Sequence, residues 1–300
     1  MAGSDTRDRI RSGLVVFAAG DAAGVPWEGS TAAAVDVARI DDIPRRGDWP
    51  PGATSDDTAL TLLVSDYLAD RSAVVDEADF LTRLSAAVPG IRGIGPSTHA
   101  AVDRYLASGT LHADAGDTNG AAMRALPIGW AVADDDRRRT VTVGLSRTTH
   151  GVPGAVAAAC VATAMASAAV DGRPILEAAA REVEWAAANL VPARLDSIQR
   201  ASSGTWHGDP AGVSLDAVET LAAVVTVVRK VVEDGLGVAE ALRYAIGLGG
   251  DTDTVAAIAG GIIGSREPGS PDIPWLARVG LPDPDVLDAA SAALAALRDG

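Results

Sequence analysis

Two short stretches concentrate the side chains able to do chemistry: Ser55-Asp56-Asp57-Thr58 and Asp251-Thr252-Asp253-Thr254. Each stands just before an apolar run of helical spacing, and each alone has a structural explanation. A Ser or Asp at a helix N-cap accepts from orphan backbone N–H groups, and carboxylates in the first turn oppose the positive helix end. Together they admit a second explanation. A hydroxyl followed by two carboxylates, and two carboxylates followed by a hydroxyl, offer six hard oxygen donors with four formal negative charges. Mg²⁺ and Mn²⁺ favour donors of this kind. Brought together without a cation, the carboxylates would repel one another and rise in pKa. Two cations about 3.5–4 Å apart, bridged by carboxylates, would relieve that conflict. No Cys or His cluster with zinc spacing competes for the role.

Three further stretches carry candidate residues. In "AAGDAAGVPWEG" (18–29), Glu28 follows a Gly-Val-Pro-Trp turn that leaves its carboxylate on a loop, while Asp21 is ambiguous. In "TNGAAMRALPIGW" (118–130), Asn119-Gly120 suits a tight turn and a helix start whose amides could receive a phosphate, and Arg124 suits either an anion contact or a structural ion pair. In "TTHG" (148–151), His150 has the best context of the four histidines, suiting either a satisfied core position or a ribose or phosphate contact. No nucleophile elbow, Walker loop or dinucleotide fingerprint stands in a suitable strand–turn–helix setting.

The elements that must position these residues are helical. Long Ala-rich segments with helical spacing alternate with Gly, Pro and Asp punctuation, which predicts an all-α fold with helices near 7–23, 56–69, 76–87, 97–107, 119–133, 137–148, 153–170, 174–189, 215–232, 238–246, 252–263 and 284–297. The β-branched run 224–232 is too embedded in a long apolar stretch for an ordinary strand and is kept helical. Loops 40–54 and 191–215 are long enough to rim a site. The two acidic clusters lie in opposite halves of the chain, so a shared site requires the halves to pack together, which predicts one domain over residues 1–300.

Composition narrows the function. With 300 residues the chain can bury a large core, and with 48% hydrophobic but only 4% aromatic residues that core is built of Ala, Val, Leu and Ile. A formal charge of −15 argues against a nucleic-acid backbone or an anionic membrane as partner and makes monomer the simpler expectation. The single cysteine, Cys160, cannot form an internal disulfide and sits among alanines as a small apolar group. The first twelve residues are charged rather than apolar, which predicts a cytoplasmic location. The uncharged stretch 151–170 is long enough to cross a bilayer, yet it is mostly Ala and Gly without aromatic or basic flanks, which predicts a buried helix.

Taken in order, "GDAAGVPWE", "TSDDTAL", "GIGPSTHAA", "TNGAAMRALP", "TTHG" and "GLGGDTDTVAAIAGGIIG" resemble the ADP-ribosylglycohydrolase family, which includes the enzymes that release ADP-ribose from dinitrogenase reductase. The correspondence runs from about Gly13 to Trp275, and the last motif is the most discriminating. The resemblance implies a compact orthogonal bundle of helices with a dinuclear metal site in a central cleft. It implies Ser55, Asp56, Asp57, Asp251, Asp253 and Thr254 as ligands of two Mg²⁺, with Mn²⁺ as an alternative. Glu28 and Asp57 become the catalytic acids, Glu28 on a mobile loop near the metals. Gly95, Ser97, Thr98, Asn119, Gly120, His150 and Gly249 fall in segments lining the ADP-ribose site. Ser55 stands where the family more often has Thr, which preserves the hydroxyl oxygen. The stretch "ADAGDT" before Asn119 is less glycine-rich than the family's, which bears on diphosphate contacts there.

That resemblance implies a hydrolase of an ADP-ribosyl bond, with an ADP-ribosylated acceptor as substrate and ADP-ribose as product. Cleavage at the anomeric carbon develops oxocarbenium character, so the site must orient the ribose diol, assist the leaving group and deliver water. Two other functions stand beside it. A non-catalytic ADP-ribose-binding relative would share the fold. An all-α, Mg²⁺-dependent diphosphate enzyme would also use acidic helices, but "SDDTALTLL" lacks the third acid along the helix and aromatic residues are few.

Overall fold

The computed structural model describes residues 2–190, 195–269 and 271–300; 68% of the chain is helical, and no strand occurs among the described residues. The helices are α1 (Ala2–Gly24), α2 (Asp56–Arg71), α3 (Glu77–Ala87), α4 (Pro96–Ser108), α5 (Gly120–Met123), α6 (Leu126–Ala131) and α7 (Asp135–Arg147) in the first half. The second half holds α8 (Pro153–Val170), α9 (Ile175–Asn189), α10 (Asp196–Ser202), α11 (Ala217–Asp234), α12 (Val238–Gly247), α13 (Thr252–Gly264) and α14 (Pro284–Asp299).

Small residues decide how the halves meet. The most extensive helix pair is α1 with α13, and glycines let their backbones touch. A Cβ on Gly20 would lie 2.4 Å from the Ala256 carbonyl oxygen, and one on Gly24 would lie 2.4 Å from the Cα of Asp253. Real Cβ atoms do not approach that closely, so these glycines are what allows the C-terminal end of α1 to reach the first turn of α13. That approach carries Asp21 to the side of Asp253.

The apolar stretch expected to be internal is internal: every residue of α8 from Gly154 to Val170 is buried, packed by α6, α7, α9 and α11. Burial pushes the Cys160 thiol far above its ordinary value, as befits a core residue. The β-branched run 224–232 is helical, within α11, whose N-terminus is fixed by the Asp216 carboxylate accepting from the N–H of Val218 and Glu219 at 3.0 Å.

Three expectations are corrected. The single helix expected over 119–133 is two short ones, because the chain turns at Arg124-Ala125 and Pro127 lacks the N–H a continuous helix would need. The expected loop 191–215 contains α10; its residues 191–194 lie outside the described residues. The expected loop 40–54 begins inside a 3₁₀ turn, Val37–Asp42, capped by the Asp36 carboxylate.

Candidate metal centre and cleft

The first acidic cluster opens α2. Ser55 is its N-cap, its Oγ accepting from the N–H of Asp57 at 3.1 Å, so the capping explanation holds for that hydroxyl. Asp21, from the last turn of α1, completes the cap from outside. Its carboxylate accepts from the N–H of Ser55 at 2.9 Å, the N–H of Thr58 at 3.1 Å and the Thr58 hydroxyl at 2.5 Å. With these amides satisfied by Ser55 and Asp21, the carboxylates of Asp56 and Asp57 are free for another task.

The second cluster opens α13, and here capping fails. Asp251 occupies the N-cap position yet makes no side-chain cap bond; its carboxylate accepts instead from the side-chain amide of Asn119, which also donates to the Thr220 hydroxyl at 2.9 Å. Thr252 is structural, its hydroxyl donating to the Gly24 carbonyl at 2.8 Å. Thr254 reaches across to Asp57 Oδ1 at 3.4 Å.

A backbone clip fixes the approach to α13. Gly250 donates to Ser30 O at 2.7 Å and accepts from Gly29 N at 2.8 Å, while Val213 donates to Gly249 O at 3.0 Å and Asp251 donates to Val213 O at 2.9 Å. Gly249 and Gly250 have φ of 72° and 74°, and a Cβ on Gly250 would lie 2.0 Å from Val213 O. The clip ties the chain just after Glu28 directly to the acidic motif.

Carboxylate oxygens of Asp21, Asp57 and Asp253 lie within 4.8 Å of one another, and all three residues are buried. Asp57 Oδ2 and Asp253 Oδ1 are buried without a hydrogen-bond partner. Burial, followed by the charge of Asp253 for Asp57 and that of Asp251 for Asp253, holds both well above the usual carboxylate range. Burial pushes Asp21 and Asp251 up to about 6; burial and then the charge of Asp21 push Asp56 to about 7. Orphaned anionic oxygens of this kind are costly unless a cation meets them, and an all-oxygen donor set suits a hard divalent ion. The cluster fits such a cation.

Asp56, Asp57, Asp251 and Asp253 form the floor of a cleft of about 290 Å³, with Asp21 behind them. Its walls include Glu28, Arg46 and Trp49 on one side and Gly95, Ser97, Thr98, Thr118, Asn119, Gly120 and His150 on the other. The N-terminal end of α4 meets the cleft with Gly95 as N-cap and no side chain capping its first turn, leaving a positive helix end facing the space.

The sequence profile of the ADP-ribosylglycohydrolase family matches residues 2–300. The chain belongs to the ADP-ribosylglycohydrolase family. It is 29% identical over 301 residues to an uncharacterized protein of Archaeoglobus fulgidus, with 94% of each chain covered. Its structure is similar to that of an ADP-ribosylglycohydrolase-related protein complex, with a TM-score of 0.81 and 27% identity over 98% of this chain and 99% of that one.

Within this ADP-ribosylglycohydrolase fold, the residues singled out from sequence converge with one exception. Ser55, Asp56, Asp57, Asp251, Asp253 and Thr254 all reach the cleft floor, and Glu28, Gly95, Ser97, Thr98, Asn119, Gly120 and His150 all line it. Gly249 does not: it is buried against the backbone of Ser30, Thr31 and Ala32, where a Cβ would find Ala32 N at 2.5 Å. Its place in the motif serves the clip. Nor does Asn119-Gly120 open a helix long enough to receive an anion, since α5 has 4 residues; the missing Cβ of Gly120 makes room for the His150 ring, 2.7 Å from where that Cβ would stand. Arg124 is buried beneath the cleft, donating to Gly120 O and the Thr149 hydroxyl.

Four residues were missed or left open. Asp21 was visible as a lone charge inside the apolar run of α1. Arg46 and Trp49 had no signal beyond lying in a long loop; Arg46 pairs with Glu28 and stacks over the Trp49 ring at 5.4 Å. Gly93, with φ of 92°, gives Asp56 room at 2.8 Å.

Proposed function

We propose that this chain hydrolyses the glycosidic bond between ADP-ribose and an acceptor in a metal-dependent reaction. The observation that carries the reading is the convergence of two acidic helix starts, α2 and α13, on one buried site with orphaned carboxylate oxygens at the floor of a cleft.

Ser55, Asp56, Asp57, Asp251, Asp253 and Thr254 would hold two Mg²⁺, or Mn²⁺. When bound, such ions supply positive charge that orients sugar hydroxyls and makes water a better nucleophile. Every other part of the task falls to the chain itself. Asn119 holds Asp251 in its orientation, and Asp21 holds the start of α2. The first turn of α4 and the hydroxyls of Ser97 and Thr118 face the cleft, where they suit the diphosphate. Glu28, at the mouth and about one-third exposed, can take a proton from attacking water or return one to the leaving group. Asp57, on the cleft floor, is the second candidate for that proton. One water is consumed, the anomeric C–X bond breaks, the water oxygen becomes the anomeric hydroxyl of ADP-ribose and the acceptor leaves with a proton.

The same reading makes the protein a cytoplasmic monomer acting on ADP-ribosylated substrates, without nucleic-acid backbone or membrane as partner, in keeping with its charge of −15. A panel of chemically defined ADP-ribosylated substrates, assayed for ADP-ribose release with Mg²⁺ and with chelator, tests it. Release from at least one acceptor, abolished by chelation, is expected. ADP-ribose binding without release from any of them would turn the reading into that of a non-catalytic binding protein.

A further inference from the structure

We propose that Arg124 and Thr149 are positioning residues that hold His150 in a single tautomer, its Nε2 proton directed at Thr118, so that the hydroxyls of Thr118 and Ser97 present donors to an anionic group of the ligand. This rests on the proposed function for the nature of the ligand, but the tautomer itself does not.

The chain of contacts runs from the core to the cleft. Arg124 Nη2 donates to Thr149 Oγ1 at 2.6 Å. Thr149 Oγ1 lies 2.8 Å from His150 Nδ1, and His150 Nε2 lies 3.1 Å from Thr118 Oγ1. Thr118 Oγ1 lies 3.3 Å from Ser97 Oγ. Arg124, Thr149 and His150 are buried; Thr118 and Ser97 are half-buried and line the cleft.

Direction follows from the first member. A guanidinium has donors only, so the bond at 2.6 Å fixes the Thr149 oxygen as acceptor. The hydroxyl then has one proton to place, and among the described residues its acceptor is His150 Nδ1. Were Nδ1 protonated instead, Thr149 would accept twice and its own buried proton would go unpaired, an arrangement that buried hydroxyls avoid. Nδ1 is therefore bare. Burial, with the charge of Arg124 added, holds the His150 pKa down to about 3, so the ring is neutral and has one proton. That proton sits on Nε2 and is donated to Thr118.

Thr118 in turn accepts from His150 and has its own proton to give. Its 3.3 Å separation from Ser97 is longer than a good O–H···O bond, about 2.5–3.0 Å, so the two hydroxyls are only loosely engaged with each other and can turn to a ligand. The ring lies close on glycine backbone: a Cβ on Gly120 would stand 2.8 Å from Nε2, and one on Gly116, with φ of 94°, would stand 3.0 Å from the His150 Cα, so only glycine at these positions leaves the ring its place. Arg124 is itself fixed by Gly120 O at 3.1 Å and by the Phe80 ring at 5.4 Å. Although burial lowers it to about 10, it stays charged at neutral pH and keeps donating. The cleft wall thereby gains donors for an anion although its described lining there carries no cation.

Nitrogen-15 NMR of the histidine rings in the metal-free full chain reads the tautomer directly. The expected His150 spectrum has a bare Nδ1 and a protonated Nε2, unchanged from about pH 5 to 8. A protonated Nδ1, an averaged pair of nitrogens or titration in that interval would overturn the proposal, whatever the variants do. Thr149→Val should release the ring to average between tautomers and weaken ADP binding roughly tenfold, while Thr149→Ser should restore both. Unchanged ADP affinity in a folded Thr149→Val protein would overturn the ligand part. If the parent binds neither ADP nor ADP-ribose, the proposed function falls, and the NMR spectrum still decides the tautomer.

Discussion

Asp57 and Asp253, one from each half of the sequence, each keep a buried carboxylate oxygen without a hydrogen-bond partner, and oxygens of the two lie within 4.8 Å of each other and of Asp21. Neither acid is placed there for the sake of its helix. Ser55 and Asp21 cap α2, and the first turn of α13 is positioned by the Gly249-Gly250 clip and by Thr252 on Gly24.

Replacing either acid by its neutral amide should therefore stabilise the chelator-treated protein while removing its response to cation. Asp57→Asn and Asp253→Asn are each expected to raise the metal-free melting temperature by a few degrees, about 2–4 °C per kcal/mol for a chain of this size, and to show no further rise with Mn²⁺. Differential scanning calorimetry checks this. A variant that melts lower than the parent and still gains stability from Mn²⁺ would show the acids to be structural.

The pH dependence of stability has a definite sign. Asp21, Asp56 and Asp251 have folded values of about 6, 7 and 6 against an ordinary value of 3.8, so the folded chain holds more protons than the unfolded one across that interval. Stability of the metal-free protein should fall as pH rises from about 4 through 7, and Asp57 and Asp253, also raised, add to the fall. Two groups act in the opposite direction: Asp41, held below its ordinary value by its hydrogen bond to Arg243, below that window, and His150, held down to about 3 by burial, in the lower part of it, where one imidazole is outweighed by the raised acids together. Melting curves in chelator across this range, repeated with saturating Mn²⁺, should diverge most at the high-pH end.

Glu28 can be tested without disturbing the fold. Its pair with Arg46 is about one-third exposed on both sides, and such pairs contribute about 0–1 kcal/mol. Glu28→Gln should melt with the parent and bind ADP-ribose with little change, yet lose roughly 10²–10⁴-fold in turnover if it moves the proton. Parent-like turnover would assign the proton to Asp57 or another acid.

The clip makes a contrast between two glycines of similar backbone. Gly29, with φ of 80°, has open space where a Cβ would go, whereas Gly250, with φ of 74°, has Val213 O at 2.0 Å. Gly29→Ala should lose about 1 kcal/mol from backbone strain alone. Gly250→Val should lose considerably more and should weaken Mn²⁺ binding, because the Val213 strand-like contact that holds Asp251 must break. Equal melting temperatures for the two variants would separate the glycines from the site.

Much of this was legible in sequence because local chemistry and tertiary role coincide. The acidic motifs sit at helix starts, where a cap signal, a carboxylate pair and the following apolar period all point to the same few residues. The length and polarity of α8 made its burial readable. What stayed hidden depends on partners far along the chain. Asp21 is interpretable only once α1 lies against α2, and Gly249 and Gly250 only once Ser30 and Val213 are beside them. Arg124 has a side chain fit for an anion; its burial under Gly120, Thr149 and Phe80 assigns it elsewhere. The short α10 lacks a side-chain cap, and the break between α5 and α6 turns on one proline within a helical pattern.

Calorimetric titration of the full chain with Mn²⁺, beside Asp56→Ala and Asp253→Ala, bears on the joint site of α2 and α13 itself. Two ions should bind the parent, and each substitution, although made on a different helix, should reduce stoichiometry or affinity while circular dichroism stays helical. Unchanged Mn²⁺ binding in both variants would contradict a shared centre and return the two acidic motifs to the role of helix starts.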